Sequence, residues 1–97
     1  MKFTEKLKEL REAKRLTQRQ LAALLDIDVT LYNRFEKGER NMKSDMVERI
    51  ASVYSIQPSE LRKYWLAEKV YNILSLEENA SEVICMVSED ISEYKKE

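Results

Sequence analysis

The stretch TQRQLAALLDIDVTLYNRF, residues 17–35, constrains the fold of this chain most strongly, because it predicts two short helices joined by a tight turn. Thr17 and Gln20 have the spacing of a capping box, in which each residue satisfies a free backbone N–H group at a helix start. The apolar residues that follow share one face at helical spacing: Leu21, Ala22 and Leu25. We therefore expect the first helix to begin at Thr17.

The turn and the second helix are indicated by residues with suitable backbone preferences. Asp26 falls where the chain must turn, and Asp tolerates the left-handed conformation better than most residues. Ile27 points back toward the core, and Asp28 is a good cap for a helix that starts at Val29. Gly38, the only glycine in the chain, is a natural helix terminator.

The second helix separates into two sectors at about 100° per residue. One sector, roughly 140° wide on that geometry, carries groups that can contact base edges: Val29, Thr30, Asn33 and Arg34. The opposite sector is apolar and aromatic: Leu31, Tyr32 and Phe35. This arrangement predicts a helix-turn-helix whose second helix enters the DNA major groove.

Three segments carry a resemblance to a known family: LKELREAKRLTQRQLA (Leu7–Ala22), IDVTLYNRFEKGER (Ile27–Arg40) and IASVYSIQPSEL (Ile50–Leu61). On these residues, Phe3–Leu61 resembles the DNA-binding domain of Cro/repressor-type (XRE-like) bacterial and phage regulators. The resemblance implies a five-helix domain that binds operator DNA, usually as a dimer.

The resemblance also has two departures and one specific implication. Asp26 stands where the family usually has Gly, and Val29 stands at a position that is often polar in the family. An Arg at position 11 pairs in this family with a Glu at the end of the recognition helix. The resemblance therefore implies a salt bridge between Arg11 and Glu36, whereas the alternative is two solvated charges.

We expect an all-α chain with two parts, because no alternating β-branched run bounded by turn residues is present. Residues 1–61 form the five-helix DNA-binding domain, with Pro58 in the first turn of the fifth helix. Residues 62–97 form a C-terminal helical hairpin, in which the fifth helix continues to about Leu74 and a last helix runs from about Ala80 to Lys95. We call these residues the hairpin.

The last helix carries a heptad seam of two heptads, with spacings of four and three residues. The seam is Ala80, Ile84, Val87, Ile91 and Tyr94, and Val83 and Met86 widen it. The apolar residues predicted to form a dimer interface are Trp65, Leu66, Val70, Ile73, Val83, Ile84, Val87, Ile91 and Tyr94. The alternatives are that the hairpin folds back to enlarge the core, or that it binds another protein.

Base recognition is assigned to the polar sector of the second helix. The Arg34 fork can bond guanine O6 and N7, Asn33 can pair with adenine or a phosphate, and Val29 and Thr30 offer methyl groups to thymine. The residues expected to contact phosphates are Gln18, Arg19, Lys37, Arg40, Asn41 and Lys43. The alternative is an ordinary solvated helix face.

The charge distribution favours the same assignment. Residues 1–50 carry 12 Lys/Arg and 9 Asp/Glu, a net charge of +3, whereas residues 51–97 carry 5 and 9, a net charge of −4. A basic half that faces DNA and an acidic half that faces protein would have this asymmetry.

Enzymatic catalysis has no support in the sequence. Without histidine, neither a Ser–His nor a Cys–His pair can form, nor a mixed Cys/His zinc site, and we expect no cofactor or metal. Cys85 lies in an apolar helical stretch and is expected to be a buried small hydrophobe. One cysteine, no apolar run of membrane-spanning length and no signal peptide favour the cytoplasm.

The sequence therefore predicts a homodimeric transcriptional regulator that binds double-stranded DNA at an operator of two-fold symmetry. Controllers of restriction–modification operons, antitoxins and phage repressors are the types that the chain resembles. The alternative is an interaction adaptor, whose hairpin binds another protein and whose DNA binding is weak or incidental.

Overall fold

The computed structural model describes residues 2–95, and within them it contains six α-helices and no strand. The helices are α1 (Phe3–Ala13), α2 (Gln18–Leu25), α3 (Val29–Lys37), α4 (Ser44–Val53), α5 (Pro58–Leu74) and α6 (Ala80–Lys95). The prediction of an all-α fold is confirmed. The ends of the two expected parts, Met1 and residues 96–97, lie outside the described residues.

Helices α1 to α5 surround one apolar core. Its fully buried side chains come from every one of these helices: Leu7, Leu21, Leu25, Tyr32, Val47, Ile50 and Leu61. Met42, between α3 and α4, is also buried. The helix-turn-helix therefore rests on a core that α1, α4 and α5 complete.

Four helix ends have the same backbone geometry. A residue one or two positions after each helix takes a left-handed conformation: Arg15 and Asp26 have φ of 56°, Ser55 has φ of 54° and Gly38 has φ of 77°. The next N–H group then bonds the carbonyl five residues back, as in Leu16 to Arg11, Ile27 to Ala22 and Ile56 to Ala51. This Schellman arrangement satisfies carbonyls at the helix ends. The predicted turn at Asp26 and helix end at Gly38 are confirmed. The left-handed residues Arg15 and Ser55 were not predicted.

Helix α5 is continuous across the expected boundary between residues 61 and 62. Leu61 is buried, and one turn later the Trp65 Nε1 donates a hydrogen bond to the Met42 carbonyl at 2.9 Å. Trp65 was expected to lie at a subunit interface, but this side chain is half-buried against the core of its own chain. Its indole N–H needs a partner when it is buried, and the Met42 carbonyl supplies one.

Helix α6 projects from the core. It has no buried residue, so the alternative in which the hairpin folds back to enlarge the core is wrong for α6. The radius of gyration is 15.6 Å, against roughly 12.5 Å for a compact chain of this length. Cys85 is exposed, which corrects the expectation of a buried thiol, because α6 has no core to face. Among the described residues, no helix is long and apolar enough to cross a membrane.

Candidate DNA interface

The start of α2 is fixed by the predicted capping box. The Gln20 backbone N–H donates to the Thr17 Oγ1 at 3.0 Å, and the Thr17 backbone N–H donates to the Gln20 Oε1 at 2.9 Å. Asp28 occupies the N-cap position of α3, but its side chain makes no capping hydrogen bond. Asp28 is therefore at the expected N-cap position, but it does not form the capping hydrogen bond. Its carboxylate still lies at the positive end of the helix dipole.

The four residues expected to contact bases differ in exposure. Thr30 and Arg34 are exposed on α3, as a side chain that enters the groove must be. Asn33 is half-buried, and its Nδ2 donates a hydrogen bond to the Gln18 Oε1 at 2.9 Å. Val29 is half-buried and packs against the core. The angular position of Val29 on the helix placed it in the polar sector, but in the structure Val29 contacts the core, because the first turn of α3 also packs against it.

The side chains expected to contact phosphates lie around α3. Arg19, Lys37, Arg40, Asn41 and Lys43 are exposed, and Gln18 is half-buried. None of the cations among them forms an ion pair within the described residues, and the same holds for Arg34. The positive charges near α3 are therefore free to meet an external anion.

The Arg11–Glu36 ion pair joins α1 to the end of α3. The Arg11 Nη2 lies 2.8 Å from the Glu36 Oε1, and the Arg11 Nε lies 3.0 Å from the Oε2, so the contact is bidentate. The Arg11 Nη1 also donates to the carbonyl of Leu16, in the turn between α1 and α2, at 2.9 Å. The two charged side chains are only 13% and 5% exposed, so most of this pair is shielded from water, although both residues are half-buried as a whole.

The pair sets the ionisation of Glu36. Burial raises the pKa of the Glu36 carboxyl, but the hydrogen bond and the positive charge of Arg11 bring the pKa below its ordinary value. The hydrogen bond to Glu36 in turn raises the pKa of Arg11, although burial opposes this. Glu36 is therefore a carboxylate, and it can only accept hydrogen bonds.

Two buried tyrosine hydroxyls lie near this pair. Neither the Tyr32 nor the Tyr54 hydroxyl has a hydrogen-bond partner among the described residues. Burial, reinforced by the Glu36 charge, raises the pKa of Tyr54 to about 12 and shifts the pKa of Tyr32 further upward. Both hydroxyls therefore stay neutral beside the ion pair.

Two further arginines hold helix ends that sequence reasoning missed. Arg49 of α4 donates to the carbonyl of Leu25, the last residue of α2. Arg62 of α5 donates to the hydroxyl of Ser44, the first residue of α4. Carbonyls at the end of a helix lack partners within the helix, but no local sequence pattern shows which distant arginine will supply one.

The fold and the exposed face of α3 define a helix-turn-helix DNA-binding protein. Residues 2–64 match a family model described as "Helix-turn-helix domain", which covers well over half of the chain. The chain therefore belongs to the Cro/repressor-type helix-turn-helix family of DNA-binding transcription regulators. Among the described residues, the helix boundaries agree with the five-helix domain that this family implies.

Named relatives are regulators of transcription. The chain is 40% identical over 62 residues to the control protein C.MunI of a Mycoplasma species, covering 63% of this chain and 84% of that protein. It is 30% identical over 98 residues to the cryptic phage CTXphi transcriptional repressor RstR of Vibrio cholerae, covering 94% of this chain and 88% of RstR. It is also 36% identical over 61 residues to the transcriptional activator BcrR of Enterococcus faecalis, 63% of this chain but only 30% of BcrR. No solved structure matches the chain significantly.

Proposed function

We propose that this protein binds an operator of two-fold symmetry as a homodimer, with α3 in the major groove of each half-site and the hairpin as the subunit interface. The observation that carries the proposal is the exposed apolar surface of the hairpin beside a helix-turn-helix with free cations. A symmetric dimer would place two copies of α3 on one face of the duplex, about one helical turn apart.

The exposed large apolar side chains favour an interface at the hairpin. Apart from Leu24, every such side chain identified in the described chain lies between residues 66 and 94. Val70, Ile84, Val87 and Ile91 are each about half exposed, with values between 47% and 52%. A monomeric protein rarely leaves so much contiguous apolar surface in water, so this surface is expected to be covered by protein.

The shape of the hairpin supports the same assignment. The second half of α5 and α6 enclose an open groove of about 460 Å³. Its lining is mostly aliphatic: Val70, Ile73, Leu74, Val83, Ile84, Val87, Ser88, Ile91 and Ser92. The acidic residues Glu82, Glu89 and Glu93 fall on the opposite side of α6 by helical spacing, and they would repel DNA phosphates. The hairpin therefore faces protein rather than DNA.

Selection of binding sites from random duplex DNA, with the purified full chain, tests the operator. An enriched inverted repeat with half-sites about one helical turn apart is the expected result. Arg34→Ala should lose most of the preference for the selected sequence and leave the oligomeric state unchanged. Enrichment of no sequence, with residual binding that disappears as salt is added, would refute sequence-specific binding and leave only phosphate contacts.

A pair of neighbouring substitutions on α6 tests the dimer. Ile84→Asp places a charge in the groove, whereas Cys85→Asp places the same charge at an exposed position that does not line the groove. We expect Ile84→Asp to give monomers with weak operator binding, and Cys85→Asp to remain dimeric, by analytical ultracentrifugation. Equal thermal stability of the Ile84→Asp monomer fold would show that the loss is one of association.

The adaptor alternative makes a different prediction for the same experiments. If the wild-type chain is monomeric at micromolar concentration, or if Ile84→Asp keeps full operator affinity, the hairpin is not the subunit interface. The groove would then serve another protein, as the adaptor hypothesis requires.

A further inference from the structure

We propose that Gln18 is a positioning residue for base readout: it holds the Asn33 side-chain amide in the orientation that reads adenine. This inference rests on the proposed placement of α3 in the major groove. From the sequence, Gln18 is expected to contact a phosphate and Asn33 a base or a phosphate, as independent contacts. The structure joins them by a hydrogen bond of 2.9 Å between α2 and α3.

The geometry gives the direction of this bond. The Asn33 Nδ2 donates and the Gln18 Oε1 accepts, at 2.9 Å. Because the Gln18 oxygen is the acceptor for Asn33, the N–H groups of the Gln18 amide stay available for a phosphate or another acceptor.

The remaining groups of Asn33 match one base. An asparagine amide has two N–H donors and one carbonyl acceptor, and one N–H is committed to Gln18. The Oδ1 and the second N–H stay free, side by side. Adenine presents an N6–H donor and an N7 acceptor in the major groove, which this pair complements. Without Gln18 the amide can rotate by half a turn and exchange its oxygen for its nitrogen.

This arrangement couples the start of α2 to the recognition helix, because Gln18 supports the Asn33 amide from behind through the 2.9 Å bond. The half-buried position of Asn33 fits a side chain that is supported from behind and reaches the groove at its outer edge.

Arg19 provides a matched control, because it follows Gln18 on α2 but is exposed and forms no ion pair within the described residues. A mutation that removes only a phosphate contact weakens all sequences alike and lowers the salt slope by about 1. A mutation that frees the amide changes the preference at one base pair of each half-site. These two signatures separate a positioning role from a phosphate contact.

The experiment measures affinities of the full chain for the selected operator and for its single-base variants at fixed salt. We expect wild type to prefer adenine at one position per half-site by about 5- to 150-fold. Gln18→Ala should reduce that preference to about threefold or less and leave the other positions unchanged. Asn33→Ala should remove the same preference, and adding Gln18→Ala to it should cause no further loss of discrimination.

A second measurement does not need DNA. In nuclear magnetic resonance spectra of the free protein, one Asn33 side-chain amide proton should exchange slowly with water, and Gln18→Ala should abolish that protection. Uniform weakening by Gln18→Ala at every position, as for Arg19→Ala, would overturn the proposal, as would two fast-exchanging Asn33 protons in wild type. Failure of wild type to select any sequence would instead refute the proposed function, while the exchange measurement would still decide the pairing.

Discussion

Glu36→Gln is expected to destabilise the fold by about 3 kcal/mol, because it leaves the Arg11 guanidinium buried without its counter-charge. Removing one partner of a buried ion pair costs about 3–5 kcal/mol. We place this variant at the lower end, since Arg11 is 13% exposed and keeps its bond to the Leu16 carbonyl. A loss of this size is a large share of the roughly 5–15 kcal/mol that stabilises a small domain.

The matched control is Glu12→Gln, the same chemical change in an exposed pair. Glu12 lies 3.8 Å from Lys8, and the two side chains are 58% and 63% exposed. Its removal should cost at most about 1 kcal/mol. Urea unfolding followed by circular dichroism at neutral pH compares the two variants with wild type at equal protein concentration.

Replacing both Arg11 and Glu36 shows whether the loss of stability comes from leaving one charge unpaired or from losing a favourable ion pair. Arg11→Met combined with Glu36→Leu should be more stable than either single variant, because no uncompensated charge remains. If Glu36→Gln proves as mild as Glu12→Gln, the buried pair does not carry the stability that its geometry indicates, and the reasoning fails.

Three further predictions concern stability. Ser55→Gly should raise the free energy of unfolding by about 0.5–1 kcal/mol, because Ser55 has a φ of 54° that glycine adopts without strain. The control is Ser52→Gly inside α4, which should lower the free energy of unfolding by about 0.5 kcal/mol in the same assay. Glu36 has a lowered pKa, so its contribution is present above the ordinary value of 4.5 and is lost as pH falls through the lower folded value. The slope of unfolding free energy against pH should therefore flatten in Glu36→Gln, and an unchanged slope would contradict this. Trp65→Phe should lose about 0.5–1.5 kcal/mol by thermal unfolding, because the Met42 carbonyl loses its 2.9 Å donor; an unchanged midpoint would argue against the bond.

Local signals account for the parts of the fold that the sequence predicted well. The capping box at Thr17 and Gln20, the turn at Asp26 and the terminator at Gly38 are decided within a few residues of each position. The break before Ala80 is equally local, and the bounds of α6 agree with the expectation. The turns at Arg15 and Ser55 were not predicted. Each of these residues precedes an apolar residue that packs on the core, Leu16 and Ile56 respectively, and such a contact often accompanies a Schellman motif.

The candidate site was only partly predictable, because helical angle alone does not say what lies opposite a helix. Thr30 and Arg34 are exposed as expected, while Val29 packs on the core and Asn33 bonds Gln18 across 15 residues of sequence. The exposure of Cys85 was missed for a related reason: an apolar neighbourhood in sequence does not guarantee a buried one in space.

The sequence by itself determined the helix-turn-helix, the capping box at its start, the turn at Asp26 and the end at Gly38, because spacing and capping are short-range properties of the chain. Only the tertiary structure decided how polar groups pair over long distances: Asn33 with Gln18, Trp65 with Met42 and Arg49 with Leu25. It also decided that α6 stays off the core. The physical reason is that burial and hydrogen-bond partners depend on which helices pack together. The periodicity of one helix does not indicate which other helices will contact it.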